Sequence, residues 1–200
     1  MRARTCAPRF FDAVAVGQNE ADAWAAYYRH DWVAFLRASI GMVAAGFGMN
    51  RRDTVRGAWL VLRANQAWAP YPHNDPERAR ELMRRFYVLV ARTPHLALEP
   101  PRAAALEVEW WRVHREHQYD DGAVTTEELV EALVSLYAHV HAAEPDLVRP
   151  AARRRVEAMD LSDEWVRGGC SSSDPLLSEV RRTLVGSYAA LLDAAVRSRV

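Results

Sequence analysis

Lysine is missing from this chain of 200 residues, and all 26 of its basic residues are arginine. Without a lysine side chain, the chain cannot form a Schiff base, hold pyridoxal phosphate as an aldimine, or use a Walker lysine or a Ser–Lys pair. Isoleucine is nearly missing too, with Ile40 as its single example. Both biases are typical of a GC-rich bacterial coding sequence, because arginine keeps the charge of lysine, and valine or leucine keeps the hydrophobicity of isoleucine.

The chain also has few cysteines, no formal net charge and no long apolar run. Cys6 and Cys170 are the only cysteines, too few for a zinc site of three or four thiolates or for a disulfide scaffold. The formal net charge is zero, whereas a nucleic-acid partner would need a basic surface. No apolar run approaches the roughly 18 residues of a membrane span, and residues 1–11 lack the apolar core of a secretory signal. We therefore expect a cytoplasmic protein without a nucleic-acid or membrane partner.

Helix signals cover most of what is present, and no strand-length alternation separates them. Asn19 looks like the cap of a first helix that reaches about residue 47, and Thr125 with Glu128 forms a capping box. The seven predicted helices end at or near residues 47, 69, 92, 119, 141, 167 and 197, at proline, glycine or turn signals. This pattern predicts an all-α fold: a single compact bundle of about seven helices, forming one domain over 1–200 with an irregular N-terminal arm at 1–18.

The segment 107–118 (EVEWWRVHREHQ) mixes side chains that rarely share one helix face. At 3.6 residues per turn, it forms two adjacent stripes: Leu106, Trp110, Val113 and His117, and Glu107, Trp111, His114 and Gln118. An acid, two indoles, two imidazoles and an amide thus lie on one mostly apolar flank, where an unpaired polar group would be costly. These groups either satisfy one another in a buried network or face a ligand.

Metal binding is the first chemistry that this pattern suggests. Glu107 and His114 lie two turns apart on one face, and Asp163 lies on the apolar stripe of the sixth predicted helix. One imidazole with two carboxylates suits iron or manganese better than structural zinc. We therefore predict that these three residues converge in the interior as metal ligands and catalytic residues.

The Glu-x6-His spacing of Glu107 and His114 resembles part of the ligand pattern of the heme-oxygenase-like diiron oxidases, which are also bundles of about seven helices. This resemblance implies a metal-dependent oxidoreductase. That family has a later His-rich ligand helix, whereas the sixth predicted helix here offers Asp160 and Asp163 but no histidine. The chain is therefore not assigned to the family.

Other polar and aromatic residues also point toward the predicted interior. They include polar side chains beside the apolar faces of the first two helices. The loop 68–75, held extended by two prolines, is either a cavity rim or an aromatic plug at the end of the bundle. The predicted ligand-binding residues are Asp31, Arg63, Gln66, Trp68, Tyr71, His73, Trp111 and Gln118.

Two functions follow from these observations. The first is a bundle that binds or transforms a small molecule at an interior Asp/Glu/His cluster. The second is a noncatalytic interaction or regulatory protein, as a homodimer, whose polar interior is structural and in which Arg63 pairs with Asp31 or Asp163. The chain has no dinucleotide fingerprint, nucleophile elbow or His-Glu-x-x-His motif, so its sequence defines neither a reaction nor a cofactor. We also expect Phe35, Trp59 and Trp110 to be among the most buried residues.

Overall fold

The computed structural model describes residues 11–93, 98–119 and 123–198, and within these ranges every regular element is a helix. The eight helices are α1 (Ala13–Tyr28), α2 (Trp32–Phe47), α3 (Arg51–Trp68), α4 (Pro76–Val90), α5 (Pro100–Tyr119), α6 (Thr126–His141), α7 (Pro145–Arg167) and α8 (Leu176–Arg197). The all-α class is confirmed, and the count exceeds seven because the first predicted helix is two helices.

The interruption between α1 and α2 was missed because it contains neither proline nor glycine. The chain turns at His30, whose φ of 56° is left-handed, and Asp31 then caps α2 by accepting from the Ala34 amide at 2.9 Å. Asn19, the predicted cap, lies inside α1, which Asp12 caps. The irregular arm predicted over 1–18 is therefore wrong for residues 13–18, which are helical, while residues 1–10 lie outside the described residues.

Most other boundaries follow their local signals. Asp75 caps α4 with Pro76 in the first turn, and Thr125 and Glu128 form the predicted capping box of α6. Asn50 caps α3, and Asp53 lies in the first turn of that helix. Pro100 begins α5, as a proline can in the first turn, where the amides lack helical partners.

The helices pack mainly against their neighbours in sequence, and α1 also packs on α8. Gly17 permits that last contact, since a Cβ there would lie 2.7 Å from the Val185 backbone. Phe35 and Trp110 belong to one large hydrophobic core, as predicted. No helix in the described ranges combines the length and hydropathy needed to cross a membrane.

Trp59 was predicted to be buried but is 49% exposed. Helix α3 buries only one face, which carries Ala58, Leu62 and their neighbours, and Trp59 lies on the opposite, exposed side. Arg63, one turn later, is also exposed, and its guanidinium lies 6.0 Å from the Trp59 ring. The predicted pairing of Arg63 with Asp31 or Asp163 is therefore wrong, because Arg63 faces away from the interior.

Candidate functional site

Two neighbouring cavities lie among the helices. The first has a volume of about 170 Å³ and the second of about 190 Å³. Five residues line both cavities and are called the shared wall: Trp24, Phe35, Asn65, Trp110 and Trp111. The Trp-rich helix α5 therefore lies between the two cavities, and its polar residues divide between them.

The first cavity is mainly apolar. Its lining includes Phe47, Met83, Phe86 and Leu136 in addition to the shared wall. Polar side chains also reach it from six helices, among them Glu20, Tyr87, Glu107, Tyr137, Arg155 and Tyr188. An apolar enclosure with a few convergent polar groups is the usual form of a small-molecule site.

A buried ion pair between α1 and α7 lines the first cavity. Arg155 donates through Nη2 to Oε1 of Glu20 and through Nη1 to the Tyr137 hydroxyl at 3.0 Å, and its guanidinium lies 4.8 Å from the Trp110 ring. Glu20 is 4% exposed and Arg155 7%. Oε2 of Glu20 and Nε of Arg155 are buried with no partner at hydrogen-bonding distance, although the Tyr188 hydroxyl lies close enough to the Glu20 carboxylate to influence its pKa. This pair is therefore incompletely satisfied beside an apolar cavity.

The electrostatics of this pair reflect burial and mutual attraction. Burial raises the pKa of Glu20, while the Arg155 guanidinium opposes that shift. Burial disfavours the charged form of Arg155, but Glu20, Tyr137 and Tyr188 outweigh it and raise the Arg155 pKa. Burial and the nearby Glu20 also raise the pKa of Tyr188, so this hydroxyl stays protonated beside the Glu20 carboxylate.

Glu107 of α5 faces the first cavity too. Its carboxylate accepts from the Tyr87 hydroxyl at 2.7 Å and from the Trp110 indole at 3.2 Å. Burial and the charge of Glu107 raise the Tyr87 pKa well above its usual value. Both donors to Glu107 are therefore neutral.

The second cavity is lined by another polar cluster. His114 Nε2 lies 3.3 Å from Oδ2 of Asp163, and Gln118 donates to Oδ1 of Asp163 at 2.7 Å and to the Tyr28 hydroxyl at 3.3 Å. Asp163 is buried on α7, whereas His114 and Gln118 are half-buried on α5. Burial and the Asp163 carboxylate raise the Tyr28 pKa. His114 and Asp163, which the sequence placed on two separate helices, are therefore in contact.

Arg115 forms another part of the second cavity. Its guanidinium donates to the Trp68 carbonyl at 2.9 Å and to the Tyr27 hydroxyl at 3.0 Å. It also lies 4.8 Å from the Trp68 ring and 5.5 Å from the Tyr71 ring, and Tyr71 stacks on Tyr119 at 5.2 Å. The predicted aromatic loop therefore does border a cavity, held there by an arginine that the sequence did not single out.

Several predicted ligand-binding residues lie elsewhere. Asp31 is an exposed helix cap and Arg63 is exposed on the outer face of α3. His73 is exposed and lines neither cavity. The predicted Gln66 also lines neither cavity, whereas its neighbour Asn65 lines both. The helix rotation explains the last difference, because adjacent residues on a helix point about 100° apart. Trp68, Tyr71, Trp111 and Gln118 do line the second cavity.

The predicted metal ligands are only partly brought together. His114 and Asp163 are in contact, but Glu107 lies on the first cavity with Tyr87 and Trp110. In the described ranges, no group of three or more His, Cys, Asp or Glu side chains is arranged to hold a metal ion. The predicted iron or manganese triad is therefore not assembled.

Sequence reasoning missed the Glu20–Arg155 pair because Arg155 follows two other arginines that are exposed. A signal was present nonetheless. Arg155 shares the 3–4 spacing of Val148, Ala152 and Met159, all buried, and so belongs to the inner stripe of α7.

Comparison with protein-family models, curated proteins and solved structures finds no match, so the function has to be inferred from the two cavities and the side chains that line them.

Proposed function

We propose that this protein binds a small, mainly apolar molecule in the first cavity. The observation that carries this proposal is an apolar cavity bordered by a buried ion pair that keeps two polar atoms without partners, Oε2 of Glu20 and Nε of Arg155. A protein interior normally leaves few such atoms. After a small adjustment of the Glu20 side chain, a ligand that donates a hydrogen bond would satisfy Oε2 of Glu20.

The size of the cavity supports this proposal. Close-packed protein interiors contain few voids larger than a water molecule, whereas this cavity has about 170 Å³. An apolar cavity of about 150 Å³ is large enough for benzene. One substituted aromatic ring therefore matches the available space.

The test is native mass spectrometry of protein purified without chelators, with elemental analysis of the same sample. We expect a bound organic molecule, released on denaturation and identified from its mass. The measurement also reports any metal and the oligomeric state. If the protein releases no organic molecule and also fails to bind benzylamine, benzyl alcohol and benzoate, the proposal is wrong and a noncatalytic protein with a structural polar core is favoured.

A cavity-filling variant provides the matched control. Gly46 lines the first cavity, and a Cβ there would lie 3.6 Å from the nearest side-chain atom, a methyl of Val16. Gly46→Leu should therefore occupy part of the cavity while α2 stays folded, since leucine favours a helix more than glycine does. We expect this variant to keep or raise the melting temperature and to lose the bound molecule. Gly46→Ala should keep the molecule.

The second cavity supports a second candidate function, acid–base catalysis. His114 and Asp163 are in contact beside a cavity of about 190 Å³, and histidine oriented by a carboxylate is a common general base. We propose His114 as the proton-transferring residue of any reaction in this cavity, with Asp163 holding the imidazole. Mass spectrometry identifies the bound molecule, and compounds of its chemical class are then tested as substrates in a turnover assay. His114→Gln should lose turnover in this assay.

A further inference from the structure

We infer that the ligand of the first cavity is an organic cation, specifically a hydrophobic amine. This inference deepens the proposed function and rests on it. Its basis is the imbalance of charge around the cavity, combined with aromatic side chains on several sides.

Among the described residues, the charged side chains that line the first cavity are two carboxylates and one guanidinium. Glu20 and Glu107 each contribute one negative charge and Arg155 one positive charge. His141 is the other titratable base on the wall, lying 5.8 Å from the Phe11 ring and 6.4 Å from the Tyr137 ring. Counted without this imidazole, the described residues that line the cavity carry one excess negative charge.

The positive charge of Arg155 is already paired with a carboxylate, although its Nε has no hydrogen-bond partner. Its guanidinium contacts Glu20, the Tyr137 hydroxyl and the face of Trp110. Glu107, by contrast, forms no ion pair with any residue in the described ranges and accepts only from the neutral Tyr87 and Trp110. A partly buried carboxylate without a counter-charge is costly, and a bound ammonium would supply that charge.

The aromatic lining favours the same ligand. Trp24, Trp110, Trp111 and Tyr87 line the cavity together with several phenylalanines. The faces of such rings attract cations, most strongly where water is excluded. An ammonium attached to an apolar group would therefore gain from both the rings and the Glu107 carboxylate, and an anion would be repelled.

The test compares three probes of nearly the same size that differ in charge: benzylamine, benzyl alcohol and benzoate. Each is titrated into the wild-type protein, freed of any copurified molecule, and binding is followed by the fluorescence of the cavity tryptophans. We expect benzylamine to bind at least about tenfold more tightly than benzyl alcohol, because a charge interaction is strong at low dielectric, and benzoate to bind most weakly.

Glu107→Gln identifies the group responsible. It removes the charge but keeps a side chain of the same shape, and the Tyr87 hydroxyl can turn to accept from the new amide. We expect the preference for benzylamine over benzyl alcohol to fall by about tenfold. Glu109→Gln is the control, since Glu109 lies two residues away on the exposed side of α5, paired with Arg112 at 2.7 Å, and should leave the preference unchanged.

The outcomes separate the two proposals. Equal binding of benzylamine and benzyl alcohol by the wild-type protein would overturn the inference about charge and leave the proposed function standing. Tighter binding of benzoate would also overturn it. Because the charge series uses the wild-type protein, a Glu107→Gln variant that does not fold would not remove the test.

Discussion

At the scale of single residues, Glu20 and Arg155 show how a buried charge pair depends on both partners. Removing two charges from water costs several kcal/mol for each ion, and their attraction repays this only with good geometry and further hydrogen bonds. Here a hydrogen bond to the Tyr137 hydroxyl and the nearby Trp110 ring further stabilise the Arg155 guanidinium. The pair links α1 to α7, so it also favours one relative placement of these helices.

Arg155→Met should lower the free energy of unfolding by about 3–5 kcal/mol, because it leaves the Glu20 carboxylate buried without its partner. The loss should be larger at pH 8 than at pH 5. Burial already raises the Glu20 pKa, so the unpartnered carboxyl group takes up a proton at lower pH and part of the stability returns. Urea unfolding at the two pH values measures both effects.

Two further variants complete this test. Glu20→Gln combined with Arg155→Met should be more stable than Arg155→Met alone, because no charge is then stranded. Arg153→Met, which removes only a surface contact to Glu127, should cost about 0–1 kcal/mol. An Arg155→Met protein as stable as the wild type would show that the Glu20–Arg155 pair does not stabilise the fold.

His114→Ala tests the polar cluster of the second cavity. Asp163 is buried and would keep Gln118 but lose the imidazole, so we expect the free energy of unfolding to fall by about 1–3 kcal/mol. His117→Ala, on the same helix, removes a histidine whose carboxylate partner Asp160 is about half exposed, and should cost less. An unchanged stability of His114→Ala would indicate that water or a ligand in the cavity replaces the imidazole.

The sequence predicted part of the candidate site at this scale. His114 and Gln118 were placed correctly because they share a stripe of α5, and Asp163 because it lies on the inner stripe of α7. Asp31 was misplaced because an aspartate beside an apolar face is equally suited to capping a helix that begins there. Periodicity also could not distinguish the two cavities, since Glu107 and His114 lie on one stripe of α5 yet face different ones.

At the scale of elements, the ends of helices were predicted well where a cap or proline marks them. The break between α1 and α2 depends instead on His30 adopting a left-handed conformation, which no residue type there requires. The break lets α1 pack against both α2 and α8. Local sequence therefore predicts most helix ends but not this turn.

The left-handed end of α6 offers a sharper test of backbone conformation. Ala142 caps this helix with a φ of 49° and is exposed, and a residue with a Cβ pays about 1–2 kcal/mol for that conformation. Ala142→Gly should therefore raise the free energy of unfolding by roughly 1 kcal/mol. Thermal and urea unfolding provide the measurement.

The matched control is the same change at Ala189, an exposed position inside α8. Ala189→Gly should lower the free energy of unfolding by about 1 kcal/mol. The two substitutions should thus have opposite signs, and a loss of stability at Ala142 would contradict the left-handed cap.

The capping box of α6 should contribute stability that depends on pH. The amide and hydroxyl of Thr125 donate to the Glu128 carboxylate and lower its pKa below the usual value near 4.5. A carboxyl group with a lowered pKa stabilises the fold above its unfolded pKa, and this contribution is lost as the pH falls through its folded pKa. Glu128→Gln should therefore melt lower than the wild type at pH 7, with the difference disappearing in acid.

Glu164→Gln serves as the comparison for this pH series. Glu164 is exposed near the C-terminal end of α7, where a negative charge is unfavourable to the helix dipole. It should show no loss of melting temperature at pH 7. A constant difference between the wild type and Glu128→Gln down to acid pH would contradict a role for the charged carboxylate.

At the scale of the whole molecule, the sequence predicted the all-helical class because its apolar residues recur with the period of a helix. Each helix needs this period to bury one apolar face in the common core. The arrangement of the helices did not follow from it. Contacts such as that of α1 with α8 join residues more than 150 positions apart in the sequence, and periodicity describes only one segment at a time. The cavities arise where these distant segments meet, so their existence could not be predicted.

The shared wall gives the two cavities common side chains, through which ligands bound in both would be thermodynamically linked. Trp24, Trp110 and Trp111 each line both cavities, so a side-chain rotation that enlarges one cavity would change the shape of the other. Any factor by which an occupant of the first cavity alters affinity in the second must equal the factor by which the second alters the first. The tryptophans that report binding on one side thereby respond to events on the other, and a two-ligand titration would read out cooperativity within a single small bundle.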